Sequence, residues 1–470
     1  MVVGELMQEV DLLVIGGGPG GYVAACAAAD HGLATTLVDR AEVPGGVCLR
    51  EGCIPSKTLL NVARIIDEAE AAAKFGVAFG KPQIDIEKLR GWKNGVIRRL
   101  STGVKGLFTG RKVDYIRGLA SFEGAGLVRI EGEVTTRVKF RHCILAPGST
   151  AKRLPESLIP KQLCWDAAQA LELAEVPRRL LIVGGGYIGL ELGQVYAALG
   201  SVVTVIEVLD QILTGIDPDL AKPLVARLSK QMKAIHTSAL LKEAKPNGEA
   251  AAVTYVVDGQ ERTEDFDRIL VSVGRQPDLA SLNLAKTKIK VDERGFIQVD
   301  AQRRTTDRRV FAIGDAVGNP MLAHKAMREA RVAVEAITGK PTVFDPACIP
   351  AVVYSDPEVA WCGITEPEAK AQGVDVRISK FQWAASGRAV SMGRTEGLTK
   401  LLFDPKTQRL LGAGIVGAHA GDLIAEAVLA MEMAAVAEDI GTTIHPHPAT
   451  CETLAEAAEA AFGKAIHGAH

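Results

Sequence analysis

No Lys or Arg precedes Arg40. That absence excludes the basic n-region of a secretory signal and the Arg-rich character of a transit peptide. The uncharged run from Leu12 to Ala29 contains GGGPGG, which breaks any membrane-spanning helix. Cysteine is scarce, eight in 470 residues, too sparse for the disulfide framework of a secreted domain. Any disulfide here is therefore expected to be redox-active rather than structural. Excess charge of either sign is missing as well: a net charge of −2 argues against a nucleic-acid scaffold, whose binding faces are strongly basic. These absences lead to a cytoplasmic protein, or an organellar one after processing. Hydrophobic content of 47% and charged content of 23% are ordinary for globular chains, and the length calls for roughly two to four domains.

One pattern occurs twice. VDLLVIGGG runs into GGGPGG, the helical stretch YVAACAAADHG and a second strand, TTLVDR; LLIVGGG, YIGLELGQVYAALG and VVTVIEV repeat that order. Gly16, Gly18 and Gly21 correspond to Gly184, Gly186 and Gly189, and an acid, Asp39 or Glu207, follows at one shared offset. The glycines let the backbone approach a pyrophosphate, the helix N-terminus supplies N–H groups and a positive dipole end, and the acid accepts from ribose hydroxyls. Two dinucleotide sites suggest one flavin and one nicotinamide. Glu207 would repel a 2′-phosphate, so NAD is expected rather than NADP. RRVFAIGDA reads as a buried strand ending at Asp315, whose carboxylate suits the polyol hydroxyls of a flavin side chain.

In GGVCLREGCIPSK the cysteines are Cys48 and Cys53, with Lys57 downstream. A zinc half-site would need a matching half elsewhere, and the other six cysteines show no paired spacing. Two inert buried thiols remain open. A redox disulfide is the favoured reading. In a regular helix i and i+5 have Cα atoms about 8.6 Å apart, beyond disulfide reach, so the backbone between the pair must be irregular, as Gly52 permits. IPSKTLLNVARIIDEAEAAAK carries helix-formers with an apolar stripe, which puts Cys53 near a helix N-terminus, where thiolates are favoured.

GCIPSK, GGGYIGLE, FAIGDA, PMLAHK, DPEVAWCG and HPHPATCE together resemble segments of the flavoprotein disulfide reductases, over essentially the whole chain. The members most similar are those that oxidise dihydrolipoyl groups with NAD+. The resemblance implies FAD and NAD as cofactors, Cys48 as the thiol that exchanges with substrate, and Cys53 as the flavin-side thiol. It implies Lys57 beside the reactive edge of the flavin, paired with Glu191, and His447 as general base, oriented by Glu452. Gly274, in VSVGRQP, is placed with the cofactor-binding residues. The implied assembly is a homodimer in which His447 serves the other subunit's dithiol. No lipoyl-bearing module precedes residue 10, so the lipoyl group is expected on another protein: a 2-oxoacid dehydrogenase complex, the glycine cleavage system or a free carrier. Neither nucleic acid nor membrane is an expected partner. His445, His447 and Cys451 offer only three candidate metal ligands between constraining prolines; His445 is read as structural, with no metal.

The expected fold class is α/β: two Rossmann-like dinucleotide-binding domains plus a C-terminal α+β dimerisation domain. The partition is FAD-binding over 1–150, NAD-binding over 151–276, FAD-binding again over 277–348 and interface over 349–470. LIAEAVLAMEMAAVAED is read as one helix of the interface domain. Arg50, Pro147, Met327 with Arg328, and Asp356 depart from the family pattern without removing a catalytic group. The rival functions are an NAD(P)H-dependent reductase of another small disulfide or of mercury, a flavin transhydrogenase without thiol chemistry, and a catalytically silent, flavin-loaded assembly subunit.

Overall fold

The computed structural model describes residues 6–467. The chain divides into two compact units: one formed by the chain up to Thr58, Asp85–Lys152 and Gly274–Asp345, the other by Leu59–Ile84, Arg153–Val273 and the chain from Pro346 onward.

In the first unit, Leu12, Leu13 and Val14 have no exposed surface, nor do Cys143, Ile144 and Leu145. Such unbroken apolar runs are what central parallel strands require, because helices and connections cover both faces. The sheet runs Asp114–Arg117, Thr35–Asp39, Leu6–Ile15, Thr136–Leu145, Leu127–Glu131, Leu119–Gly124, with Val310–Ala312 also paired to Thr136–Leu145. The strands from Asp114–Arg117 to Thr136–Leu145, and Val310–Ala312, are mutually parallel; the remaining two are antiparallel hairpin additions. Helix Pro19–Asp30 buries Ala24, Ala25 and Ala28, small side chains that let it lie close.

The second unit repeats the parallel theme with Ala234–His236, Val202–Ile206, Arg179–Val183, Arg268–Val271 and Cys164–Trp165, in that spatial order. Leu180, Leu181 and Ile182 are wholly buried there. A three-stranded antiparallel sheet, Leu240–Asn247, Ala250–Val257 and Gln260–Phe266, is inserted before Arg268–Val271. The C-terminal part is an antiparallel sheet ordered Ala351–Val353, Glu358–Gly363, Leu410–Gly417, Leu398–Phe403, Arg377–Gln382. Helices Ala420–Glu432 and Glu452–Ala461 share its core with Trp383, Phe403 and Ile415. The result is α/β with two Rossmann-like sheets and an α+β C-terminal domain. Among the described residues, no helix is long and apolar enough to cross a membrane.

Two sequence readings need correction. LIAEAVLAMEMAAVAED is two helices, Ala420–Glu432 and Ala437–Thr442. Between them Ala434 turns left-handed at φ 53°, and the Ala435 carbonyl accepts from Leu410 N–H, so the chain leaves the helix to extend the ladder of the neighbouring strand. The FAIGDA strand stops at Ala312, and Asp315 sits in the following single turn, Gly314–Val317.

Candidate active site

The two glycine-rich turns have the same internal construction. Gly16 and Gly184 have φ of +106° and +109°, and a Cβ there would lie 2.0 Å from Ala146 O and 2.6 Å from Ser272 O. A Cβ on Gly21 or Gly189 would run into the preceding turn, 1.7 Å from Gly16 O or 2.4 Å from Gly184 O. Gly18 and Gly186 differ: a Cβ would meet only Gly46 Cα, at 3.8 Å, in the first case and nothing within 4 Å in the second. They are the N-caps of Pro19–Asp30 and Tyr187–Ala198. Open space over the middle glycine, at a helix N-terminus, is what a pyrophosphate needs.

The acids are fixed in matching fashion. Asp39 accepts from Gly17 N–H at 2.5 Å and from Ala41 N–H at 2.7 Å. Glu207 accepts from Gly185 N–H at 2.6 Å and from Leu209 N–H at 2.9 Å. Each carboxylate is thus held beside its glycine turn with lone pairs left for a ribose diol. The residues fit two dinucleotides.

The cysteine pair belongs to the first of these cradles. Gly45 N–H donates to Gly17 O at 2.8 Å, and a Cβ on Gly46 would lie 2.4 Å from Gly18 Cα. Helix Gly46–Glu51, which carries Cys48, therefore starts directly on the glycine turn. Gly52 leaves the helical region at φ −146°, ψ −105°, and helix Cys53–Ala71 begins with the second cysteine. That break folds two sulfurs together that a continuous helix would hold apart. Both are thiols, hydrogen-bonded to each other. The bond with Cys53, burial and the charge of Cys53 push the Cys48 thiol well up, against the opposing pull of Lys57. Cys53 stands at a helix N-terminus and one turn from Lys57, a position that favours negative charge on a sulfur.

In the second unit, His447 Nδ1 lies 2.8 Å from Glu452 Oε1, and Glu452 Oε2 accepts from Ala449 N–H at 2.7 Å. Burial works against ionisation of Glu452, but the Ala449 N–H and then the His447 ring outweigh it and hold the carboxyl below the usual carboxylate range. The His447 side chain is 79% exposed in the single chain. His445 is tied down instead, with Nε2 2.7 Å from Glu426 Oε1 and Nδ1 2.8 Å from Thr443 O. Glu191 is 2% exposed and accepts from Tyr354 N–H at 3.0 Å.

Residues 10–330 match the family model for pyridine nucleotide-disulphide oxidoreductases, and residues 349–458 match the dimerisation domain of the same family. The chain belongs to that family. Curated relatives include the dihydrolipoyl dehydrogenase of Vibrio parahaemolyticus, 46% identical over 458 residues that cover 96% of this chain and 95% of that one. The dihydrolipoyl dehydrogenase of Geobacillus stearothermophilus is 43% identical, covering 99% of both chains. Among solved structures, the HOCl-induced flavoprotein disulfide reductase RclA from Escherichia coli superposes with a TM-score of 0.84 at 26% identity, covering 96% of this chain and 99% of that one.

As a pyridine nucleotide-disulphide oxidoreductase, the chain also has groups near its first cradle that the sequence did not reveal. Ser149 Oγ donates to Asp315, and the Arg275 guanidinium donates to Ser149 Oγ at 2.7 Å and Ser149 O at 2.6 Å. Gly274, with φ +106°, precedes that arginine and accepts from Lys152 N–H at 2.9 Å. Beneath the GD turn lies Glu329, with no exposed surface. It accepts from Gly314 N–H at 2.7 Å and pairs with Lys325 at 3.2 Å and Arg303 at 3.1 Å. The signal was present as a Lys and a Glu four apart in HKAMREA, which on an exposed helix would be an ordinary surface pair. Burial makes it a strut. Glu329→Ala should cost about 3–5 kcal/mol, because the buried Lys325 and the part-buried Arg303 lose their counter-ion. Thermal or urea unfolding checks this, and a loss under about 1 kcal/mol would show that the cations find another partner.

Of the departures from the family pattern, Asp356 has a clear structural role. The Asp356 carboxylate binds Arg394 and lies 3.5 Å from Arg227, while Gln194 bridges its N–H at 2.7 Å and its carbonyl at 3.0 Å. Arg50 lies 3.5 Å from Glu51 at the end of the Cys48 helix, and Arg328 is exposed on its helix. Nothing in the structure explains Pro147.

Proposed function

We propose that this chain oxidises dihydrolipoyl groups, carried on another protein, to lipoyl groups with NAD+ as acceptor. The observation that carries the reading is the dithiol built onto the first dinucleotide turn through Gly45 and Gly46; the lipoyl specificity is supported by the relatives that bear that activity in their names. The working form is a homodimer in the cytoplasm, in keeping with the dimerisation domain.

In the disulfide form of the enzyme, His447 takes a proton from one substrate thiol through Nε2, since Nδ1 faces Glu452. The substrate thiolate attacks Cys48 Sγ, the Cys48–Cys53 bond breaks, and Cys53 leaves as a thiolate steadied by Lys57 and the helix N-terminus. His447 gives up that proton to solvent and takes the second, and the second substrate thiolate closes onto the substrate sulfur of the mixed disulfide. Cys48 is released and recovers the proton from His447. Asp39, Asp315 and the glycine backbone of the first cradle would hold FAD, which would supply two-electron chemistry between the dithiol and NAD+. The second cradle, through Glu207 and the Gly186 backbone, orients the nicotinamide dinucleotide.

The purified protein should be yellow and should reduce NAD+ with dihydrolipoamide. kcat/KM for NAD+ should exceed that for NADP+, and Glu207→Ala should lower the NAD+ value by about 10–100-fold, the worth of hydrogen bonds to a charged group. Steady-state assays with dihydrolipoamide and with glutathione, each with both nicotinamides, decide the matter. Faster turnover with glutathione, or with NADP+, would overturn the substrate assignment.

A further inference from the structure

A second pair of thiols stands in the C-terminal domain, fashioned by a different device from the first. Cys362 lies in strand Glu358–Gly363 and is 2% exposed. Cys348 lies upstream of strand Ala351–Val353, which runs antiparallel to it with Ala351 opposite Trp361 and Val352 opposite Ala360. Antiparallel pairing carries the chain before Ala351 alongside the chain after Trp361, and so brings together two cysteines that sequence spacing leaves unrelated. Ala347 N–H donates to Glu432 Oε1 at 3.0 Å and pins the approach. Cys362 belongs to the buried core of the domain and Cys348 packs against that core, close enough for each sulfur to bear on the ionisation of the other.

We propose that Cys348 and Cys362 form an oxidant-responsive pair, distinct from the catalytic dithiol, which closes to an intrachain disulfide on exposure to a peroxide. The two sulfurs differ in the way such a reaction needs. Cys348 is part-exposed, so it is the one to meet the oxidant. Cys362 is enclosed and donates its S–H to Met431 Sδ at 3.8 Å. The thiol of Cys348 is lowered chiefly by the neighbouring Cys362, against burial and the Glu432 charge, while Cys362 is pushed up chiefly by Cys348 and by burial. The thiols of Cys26, Cys143, Cys164 and Cys451, by contrast, are pushed up chiefly by burial.

The chemistry balances as follows. The Cys348 thiolate attacks one peroxide oxygen, the O–O bond breaks, and the departing hydroxide takes a proton to leave water and a sulfenic acid on Cys348. The Cys362 thiol attacks that sulfur, the S–O bond breaks, and a second water leaves as the S–S bond forms. Two thiols are oxidised by two electrons, and one peroxide is reduced to two waters. The bond staples the entry of the chain into the C-terminal domain to strand Glu358–Gly363.

No Lys or Arg lies between Cys348 and Cys362, so both fall in the tryptic peptide that ends at Lys370. The FAD-loaded enzyme is treated with hydrogen peroxide, remaining thiols are alkylated, and that peptide is weighed. The expected shift is from a doubly alkylated peptide to an unalkylated one short of a pair of hydrogens, reversed by a dithiol reductant. In Cys362→Ser, Cys348 should be trapped as a sulfenic acid by a 1,3-diketone probe; in Cys348→Ser, Cys362 should stay a thiol. The peptide remaining doubly alkylated after peroxide treatment would overturn the proposal, as would linkage between subunits. The reading of the catalytic dithiol is unaffected by either result, because Cys48 and Cys53 fall in other peptides.

Discussion

Cys48→Ser and Cys53→Ser should each lower dihydrolipoamide oxidation by at least about 10⁴-fold, the scale on which removal of a covalent catalyst shows itself. The two losses have different origins. A serine hydroxyl at 48 does not exchange with sulfur, so substrate never becomes attached. A serine at 53 leaves an exchanging thiol in place but removes the second sulfur, and no disulfide can be regenerated. Spectroscopy separates them. Cys53 begins a helix that starts beside the first cradle, where a thiolate is favoured, so the anaerobically reduced enzyme should show a long-wavelength band from thiolate against flavin. That band should survive in Cys48→Ser and vanish in Cys53→Ser. Its persistence in Cys53→Ser would reverse the assignment of the two sulfurs, and wild-type turnover in either variant would remove the pair from the reaction.

Much of this was legible in the sequence because the chemistry rests on short, local patterns. Gly16, Gly18 and Gly21 act through backbone geometry within one turn, and the same spacing at Gly184, Gly186 and Gly189 reports the same geometry. Gly52 betrayed the break that brings Cys48 to Cys53, because a helix cannot do so. What stayed hidden depends on long-range register or on burial. Arg275 reaches Ser149, the partner of Asp315, only because strand Arg275–Pro277 pairs with Ser149–Ala151. Lys325 and Glu329 read as a surface pair until the Gly314 turn closes over them. Cys348 and Cys362 meet through the ladder between two strands, which no spacing rule encodes. The interrupted helix at Ala434 failed for the same reason: the demand of the neighbouring ladder for the Ala435 carbonyl overrode a strong local helical propensity.

His447→Gln should slow the dihydrolipoamide reaction by about 10²–10⁴-fold, the usual range for loss of a general base, and should leave NADH oxidation by artificial acceptors nearly unchanged. The contrast follows from where the proton is handled. Glu452 is held ionised by the Ala449 N–H and by the ring it faces, so Nδ1 donates and Nε2 is left as the free acceptor. Only the thiol half-reaction needs that acceptor. Glu452→Gln should keep the ring in place but weaken its basicity, with a loss of about tenfold, nearer a single hydrogen bond to a charged group than a whole catalytic group. The sign with pH is fixed by the lowered Glu452 carboxyl. Its contribution is fully present above the ordinary glutamate value and disappears as pH falls through the lowered one, so acid inactivation at moderately low pH should not come from release of this clamp. The exposure of His447 in the single chain adds one more expectation. On the proposed reading, in which His447 serves the dithiol of the other subunit of a homodimer, mixed dimers of His447→Gln and Cys48→Ser chains should recover about half the turnover, from the one site that keeps both groups. Turnover no higher than that of the two parent variants would place base and dithiol in the same subunit.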